Sequence, residues 1–460
     1  MLLQVQWSVI GIFVTILMVY YNCDNVKVRM NYNNSAGKVL VKKIVAYSFR
    51  KQLELEDEQY INCEKNETLN ISQIVLNRKF WFSVEDFFVN LVTLDNRLDP
   101  YKYLRILAVI KGDWRNKTTY CQMLIKDGSV RILKSTIAPI WYEKWDTNDN
   151  NTYYHPVLVS CRLEIGLNPL AVTLTKTPCQ LSIDKFIGLD EKSQNDVSFT
   201  VCVKPLKFPR ENIAERLAHW IEISRVLGAD FFHIFLGDVT DRTKKLLKWY
   251  QRKFPHTFLI EEFHEVDDTI CKNCTFFQNT WQRRRYEIIS YNRCLYRNLH
   301  SKFIVPLDID EIIVPKSNKS SWTDLVHNLD DYASLIVQNV YYFFRKTHGK
   351  MPVFFTETTR TKAPSLKGEN GKSFVATKNA LTVFNHYALH VLRPDAIKHY
   401  FLPFADAQLN HYKDSCDHAI FPQCTVYLSS PTVVDDVIFK YKREFYNRYN
   451  DIVSNLMPVS

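Results

Sequence analysis

The spacing of apolar and polar positions changes character part-way along the chain. From about residue 40 to 195 the apolar residues come in short β-prone runs, among them 103–110, 119–125 and 156–165. Lys126-Asp127-Gly128-Ser129 reads as a hairpin turn leading into the run 130–133. This half predicts an antiparallel sheet or small sandwich, and it holds no catalytic constellation. Residues 185–196 then turn polar, and the boundary is placed there. Beyond it the pattern becomes strand–helix–strand. Residues 199–203 predict a buried strand. Pro209 opens a helix with Ile213, Leu217, Trp220, Ile221, Ser224 and Leu227 on one face, and Gly228 stops it. A strand over 231–236, a helix from Thr243 to Phe254, a strand over 257–260 and a long helix from about Trp281 to Leu299 follow. Alternation of this kind predicts an α/β domain with a mostly parallel central sheet and helices on both faces.

The start of the chain is different again. Residues 5–21 are almost wholly apolar, and the first charged side chain is Asp24. With its flanks the segment approaches the ~20 residues that cross a bilayer as a helix. Trp7, Tyr20 and Tyr21 sit where interfacial aromatics belong. A cleaved signal peptide is the rival reading, but the start lacks Lys or Arg and no small-x-small exit follows. An uncleaved anchor is therefore expected, although Lys27 and Arg29 on its luminal side run against the positive-inside tendency. The expected organisation is a cytoplasmic tip and transmembrane signal-anchor at 1–23 and an Asn-rich stem at 24–40. A β-rich accessory domain at 41–195 and the α/β domain at 196–460 follow.

Composition adds three points. Net charge is +10, spread along the chain, and the densest basic cluster, Arg283-Arg284-Arg285, is too short to argue for nucleic acid. Seven Asn-x-Ser/Thr sequons occur, at Asn33, Asn66, Asn70, Asn116, Asn150, Asn273 and Asn318. Of 11 Cys, ten lie beyond the apolar segment, an even number that fits disulfides in an oxidising compartment. The sequons and the cysteines together place the body outside the cytosol. Cys271-x-x-Cys274 has the spacing of half a zinc site, but no matching second pair exists and a sequon runs through it.

The candidate chemistry centres on Asp308-Ile309-Asp310. It ends the apolar run 302–307, and Glu311 follows directly. A buried strand that delivers two carboxylates to its tip builds a site for a hard divalent cation, Mn²⁺ or Mg²⁺, able to hold a diphosphate. The alternative is a solvated turn. Ligands of parallel sheets collect at the carboxyl ends of strands. That makes Lys204, straight after the first strand, a candidate to neutralise phosphate. It makes Asp238, after the second strand, a candidate for ribose or base. His411 is a plausible third metal ligand, and Lys413 could meet diphosphate oxygens. His386, His390 and His399 lie near one another in sequence without marking a site. No phosphate loop, nucleophile elbow or His-Glu-x-x-His helix is present.

Several of these segments keep a recognisable order. They are residues 201–206, 217–222, 227–235, Gln282, Asn292-Arg293-Cys294, 303–311 and His411-Tyr412-Lys413. Over roughly 198–450 the chain resembles glycosyltransferase family 92. The resemblance implies a GT-A-like nucleotide-sugar-binding fold, a single-pass type II membrane protein with its catalytic domain in the lumen of the Golgi or endoplasmic reticulum, and inverting transfer of a hexose, galactose in a characterised member type. The donor would be a UDP-sugar and the acceptor a glycan, such as fucose on an N-glycan core. It also implies Asp308 and Asp310 as catalytic metal-diphosphate residues, His411 as a further ligand, and Gln282 beside Lys204, Asp238 and Lys413 at the donor. Lys413 stands where the family usually has Arg, which keeps the charge but loses a two-pronged phosphate grip. The ending Leu236-Gly237-Asp238 also departs from the family, which weakens Asp238. The general base stays unassigned, with Glu357, Glu369 and Asp406 as candidates. A degenerate transferase fold that only binds glycans is the alternative. A metal-dependent hydrolase finds too few clustered carboxylates.

Overall fold

A computed structural model describes residues 61–63, 68–77, 79–115, 117–142, 145, 153–192, 196–266, 280–344, 351–416 and 423–456. The expected anchor and stem, the Cys271-x-x-Cys274 pair and the sequons at Asn33, Asn66, Asn116, Asn150 and Asn273 lie outside them. Among the described residues no helix is long and apolar enough to cross a membrane.

The β-rich region forms two antiparallel sheets. One contains β1 (Phe82–Val84), β2 (Phe87–Leu98), β3 (Tyr101–Lys111), β6 (Thr136–Pro139) and β7 (Tyr154–Leu163), in the order β1-β2-β3-β7-β6. The other contains β4 (Tyr120–Leu124), β5 (Val130–Lys134), β8 (Ala171–Thr175) and β9 (Ile187–Gly188), in the order β5-β4-β8-β9. Leu124 pairs with Val130 across the expected hairpin. Gly128 takes φ +83° there, with the Leu69 carbonyl so close that a Cβ would clash. Side chains alternate across a strand, so β3 explains its continuous apolar run by burying both faces. Ile106, Ala108 and Ile110 face the second sheet, alongside Met123 and Leu174. Leu107 and Val109 face the other way, into a core that includes Ile288 and Leu295. The Cys121–Cys161 disulfide joins the two sheets and Cys63–Cys179 closes the region's edge.

The α/β region is built on a seven-stranded sheet. Its strands are β10 (Phe199–Phe208), β11 (Phe231–Val239), β12 (Phe258–Glu262), β13 (Phe303–Pro306), β15 (Tyr332–Val337), β18 (Lys372–Ala376) and β21 (Ile397–Phe401). The order is β12-β11-β10-β13-β18-β15-β21. Only β18 runs against the rest. The sheet is therefore mostly parallel, as the strand–helix alternation predicts. On one face α1 (Ala214–Leu227) buries Leu217, Trp220 and Ile221 against Val201, Val203 and Val305. On the other, α3 (Thr280–Arg297) buries Ile288 and Leu295 against Ile304, and the Cys202–Cys294 disulfide ties it to β10. A helix α2 (Asp241–Lys253) lies between β11 and β12 in the chain. The first of these helices starts later than Pro209 suggests. Asn212 accepts a hydrogen bond from the Ala214 N–H through its side chain at 3.2 Å, which holds the chain in a turn before the helix.

Helix α3 has the sheet on one side and the β-rich region on the other. Arg293 reaches the Asn90 carbonyl at 2.8 Å and Glu261 at 2.7 Å, and Gln282 bonds the Tyr154 backbone. Arg97 crosses the same seam to the Ala380 carbonyl at 2.8 Å. Where β13 ends, the chain turns out of the main sheet. It enters a three-stranded sheet of β14 (Glu311–Pro315), β16 (Asn339–Phe343) and β22 (Ala407–Lys413), in the order β14-β22-β16. That turn holds the candidate site.

Candidate acidic site at the tip of β13

The turn is made by Asp308-Ile309-Asp310-Glu311, with the Glu311 N–H donating to the Asp308 carbonyl at 3.0 Å. One strand ends just before the motif and another begins on its last residue. The first carboxylate therefore leaves from a sheet tip and the last from the start of a new strand. In this new sheet Glu311 pairs with His411 on β22, and His411 pairs with Tyr341 on β16, so the three side chains share one face. The Trp220 indole of α1 fixes the turn's exit by donating to the Glu311 carbonyl at 2.8 Å.

The carboxylates of the motif divide their partners. Asp308 has one oxygen 3.1 Å from the Lys204 ammonium and the other 3.6 Å from Lys372. The Tyr291 hydroxyl, from α3, lies 3.4 Å from the first oxygen. Asp310 instead faces His411, whose Nε2 is 3.4 Å from Oδ2. Glu311 joins the two halves. One of its oxygens accepts from the Asp308 N–H at 3.0 Å and lies 3.4 Å from Lys372, and the other lies 3.5 Å from His411 Nδ1. Exposure separates them too: the Glu311 side chain is 3% accessible, Asp308 20% and Asp310 39%.

Burial by itself would raise all three carboxyl groups. For Asp308 that push is overcome by Lys204, Lys372 and Arg284, which hold it well below the usual carboxylate range. For Asp310 it is overcome by His411 and then Lys413, so its carboxyl is also lowered. For Glu311 burial prevails, aided by its acidic neighbours against the pull of Lys372, and the carboxyl is raised. The Tyr291 phenol is pushed far up by burial and by the negative charges around it.

The expected site residues are thus placed unequally. Asp308, Asp310, His411 and Lys204 come together, and Lys413 is close enough for its charge to act on Asp310. Asp238 is exposed at the carboxyl end of β11. Gln282 faces the seam instead, with both ends of its amide on the Tyr154 backbone at 2.8 and 3.3 Å. His386, His390 and His399 serve separate local bonds and packing: His386 bonds the Gly371 carbonyl, His390 bonds Thr382, and His399 packs on Tyr387. Lys372, Tyr291 and Glu287, which sits 3.8 Å from Lys204, were not anticipated. Only the buried Lys372 carried a sequence signal, as a lone cation in the apolar strand pattern of 372–376.

Among the described residues no three His, Cys, Asp or Glu side chains gather closely enough to hold an ion by themselves. The expected trio does not converge on one point, because both oxygens of Asp308 face lysines. Asp310 and His411 remain. Their facing atoms are 3.4 Å apart, near the spacing of two neighbouring ligands on one small cation. A carboxylate and an imidazole suit Mn²⁺, and Mg²⁺ or Mn²⁺ sites that grip phosphates commonly take only one or two protein ligands. The donor set therefore fits an ion shared with a bound diphosphate.

Of the three acids considered as bases, Asp406 precedes β22 while His411 lies towards its far end, roughly 16 Å away at strand rise. The Glu357 charge is felt by Tyr412, which points away from the His411 face. Glu369 accepts from the Tyr427 hydroxyl at 3.5 Å, and the Tyr427 ring packs on Tyr341, which packs on His411. Of the three, Glu369 is thus the one linked, through Tyr427 and Tyr341, to the His411 face.

The family model for glycosyltransferase family 92 matches residues 197–451. Among solved structures, S. aureus TarS 1–349 in complex with UDP is similar over 56% of this chain and 74% of that chain, with 15% identity and a TM-score of 0.25. A second structure of S. aureus TarS 1–349 covers 57% of this chain and 76% of that chain at 14% identity, with a TM-score of 0.19. No curated protein matches the chain.

Proposed function

The chain belongs to glycosyltransferase family 92, and we propose that it is an inverting, metal-dependent enzyme with a GT-A-type fold. It moves a hexose, galactose by family resemblance, from a UDP-sugar to a glycan acceptor such as fucose on an N-glycan core. The observation that carries the reading is the half-exposed Asp310 facing His411, beside a turn whose other carboxylates are tied to buried or half-buried cations. Asp310 and His411 would hold Mn²⁺ or Mg²⁺. When bound, the ion supplies positive charge to the diphosphate as the leaving UDP gains negative charge.

The protein's own groups do the rest. Lys204 and Lys413 flank the acidic turn and orient the diphosphate. Lys204 is 23% exposed, so it is free to exchange Asp308 for a phosphate oxygen. The acceptor hydroxyl attacks the anomeric carbon from the side opposite the leaving group, and Glu369 takes its proton. The new glycosidic bond forms as the sugar–phosphate bond breaks, and its electron pair leaves with UDP. A luminal site in the Golgi or endoplasmic reticulum behind an N-terminal membrane anchor is part of the same proposal. It draws support from the disulfides among the described residues, Cys63–Cys179, Cys121–Cys161, Cys202–Cys294 and Cys416–Cys424, and from the sequons. The test is a donor screen. The purified chain is incubated with Mn²⁺, a panel of nucleotide sugars and fucosylated glycans, and released UDP is recorded. UDP-galactose is expected to turn over fastest, with inversion at its anomeric carbon. Binding of UDP with no turnover for any donor would favour the degenerate, glycan-binding reading.

A further inference from the structure

Lys372 is the least exposed cation of the site, at 1% accessibility, and the reaction described above gives it no task. It sits at the start of β18, the one antiparallel strand of the main sheet. Continuing the Ile304–Val375 register brings it level with the end of the β13 run, beside Asp308. Its ammonium lies 3.6 Å from Asp308, 3.4 Å from Glu311, and 3.3 Å from the Asn385 carbonyl. Three carboxylates within four residues repel one another, and at low dielectric that repulsion opens the turn unless an opposite charge holds it. Lys204 also touches Asp308, but it is partly exposed and is wanted by the donor's phosphates.

We propose that Lys372 is a positioning residue, a built-in counter-ion that locks Asp308 and Glu311 into the turn and leaves Asp310 with His411 as the open half that receives the cation. The inference rests on the metal-dependent reading above and deepens it. In this arrangement Asp308 keeps a cation when Lys204 transfers to the diphosphate, so the motif does not spring apart at the moment the donor binds. Glu311 is a structural member of the motif, because one oxygen holds the Asp308 amide and the other faces His411.

The test uses the full chain in detergent as wild type, Lys372→Met, Lys372→Arg and the double variant Lys372→Met/Glu311→Gln. Two readouts are taken: amide exchange by mass spectrometry over residues 303–313, and Mn²⁺ binding by the EPR signal of free ion. Lys372→Met should speed exchange in 307–312 by about tenfold or more while the β-rich region is unchanged. It should weaken Mn²⁺ binding by about tenfold, and Lys372→Arg should restore much of both. The double variant removes one of the carboxylates left unpaired. It should regain thermal stability without regaining Mn²⁺ affinity, and this keeps the test open if the single variant folds poorly. Wild-type exchange and wild-type Mn²⁺ binding in Lys372→Met would overturn the proposal. So would a double variant that recovers Mn²⁺ affinity together with stability, since removing the Glu311 charge would then do as well as holding Glu311 in place. If the wild type itself binds no Mn²⁺, the metal reading fails, and the exchange of 307–312 alone decides whether Lys372 is the lock.

Discussion

Each half of the molecule buries a carboxylate at a sheet, and the two are treated in opposite ways. In the β-rich region Asp95 is 1% exposed. Arg97 meets both of its oxygens at 2.8 Å, and Arg105 comes within 3.2 Å. The two guanidinium groups more than offset its burial and hold the carboxyl well below its usual range. Nothing is left for a ligand, and the group acts as a rivet: Arg97 continues to the Thr377 and Ala380 carbonyls of the α/β region. At the tip of β13 the same chemistry is left incomplete. Asp308 and Glu311 are tied down, whereas Asp310 keeps 39% of its side chain exposed beside an imidazole. Strong pairing alone therefore marks structure. An acid held in place by paired neighbours, with its own face open, marks a place for an incoming cation.

The largest effect should come from closing that open position. Asp310→Asn is expected to lower UDP-sugar turnover roughly a thousandfold, since the loss of a charged ligand removes several kcal/mol of leaving-group stabilisation. The thermal midpoint should barely move, because Asp310 is not part of the locked half. Full metal-dependent turnover in this variant would mean that Asp310 holds no cation and is as structural as Asp95. The converse change is Asp95→Ala, which leaves Arg97 and Arg105 buried without their anion. It should cost about 3–5 kcal/mol in denaturant unfolding, with turnover per folded molecule retained. A stable but inactive Asp95→Ala protein would mean that the seam, too, belongs to the catalytic machinery.

The contrast was only half visible in the sequence. Period-two and period-3.6 patterns revealed both sheet classes, because burial on one or both faces imposes them. The tip position of Asp308 and Asp310 followed from the apolar run before them. What stayed hidden were partners distant along the chain. Lys372 arrives from a strand placed beside β13 only by the antiparallel insertion of β18, and no local spacing encodes that neighbour. Gln282 was misplaced for a related reason. Helix α3 buries residues on nearly every side, so the sequence did not say which face looks toward the β-rich region. The turn that lets Asp308 and Asp310 take different partners depends on β14 joining a second sheet, a tertiary fact again.

A smaller loss is expected at Glu369. If it is the base, Glu369→Gln should lower kcat about a hundredfold, at the lower end for general-base removal, and leave UDP and Mn²⁺ binding intact. Because Glu369 is exposed, its replacement should not touch stability. An equal loss from Glu357→Gln, with Glu369→Gln unaffected, would move the acceptor to the other face of β22.

The two halves should also part under acid. His219, on α1, is 6% exposed among Phe354, Phe445 and Tyr449, and its Nε2 has no hydrogen-bond partner among the described residues. Burial pushes its pKa down to about 4, against about 6.5 in an unfolded chain. Above the unfolded value the ring is neutral in both states and the fold keeps its full stability. As pH falls from there toward 4, the unfolded chain takes up a proton that the folded one refuses, and stability drains away. The Asp95 pair behaves otherwise. Its folded value lies below the unfolded one near 3.9, so its contribution persists above that pH and fades only in stronger acid. Between pH 7 and pH 5 His219 alone should remove about 2 kcal/mol. His219→Phe, an apolar ring in an aromatic pocket, should flatten the pH dependence by that amount and hold neutral-pH stability within about 1 kcal/mol. Urea unfolding of both proteins at the two pH values measures it. An identical fall in the variant would mean that the acid response comes from elsewhere, with His386, pushed down to about 3 chiefly by burial, the next residue to replace.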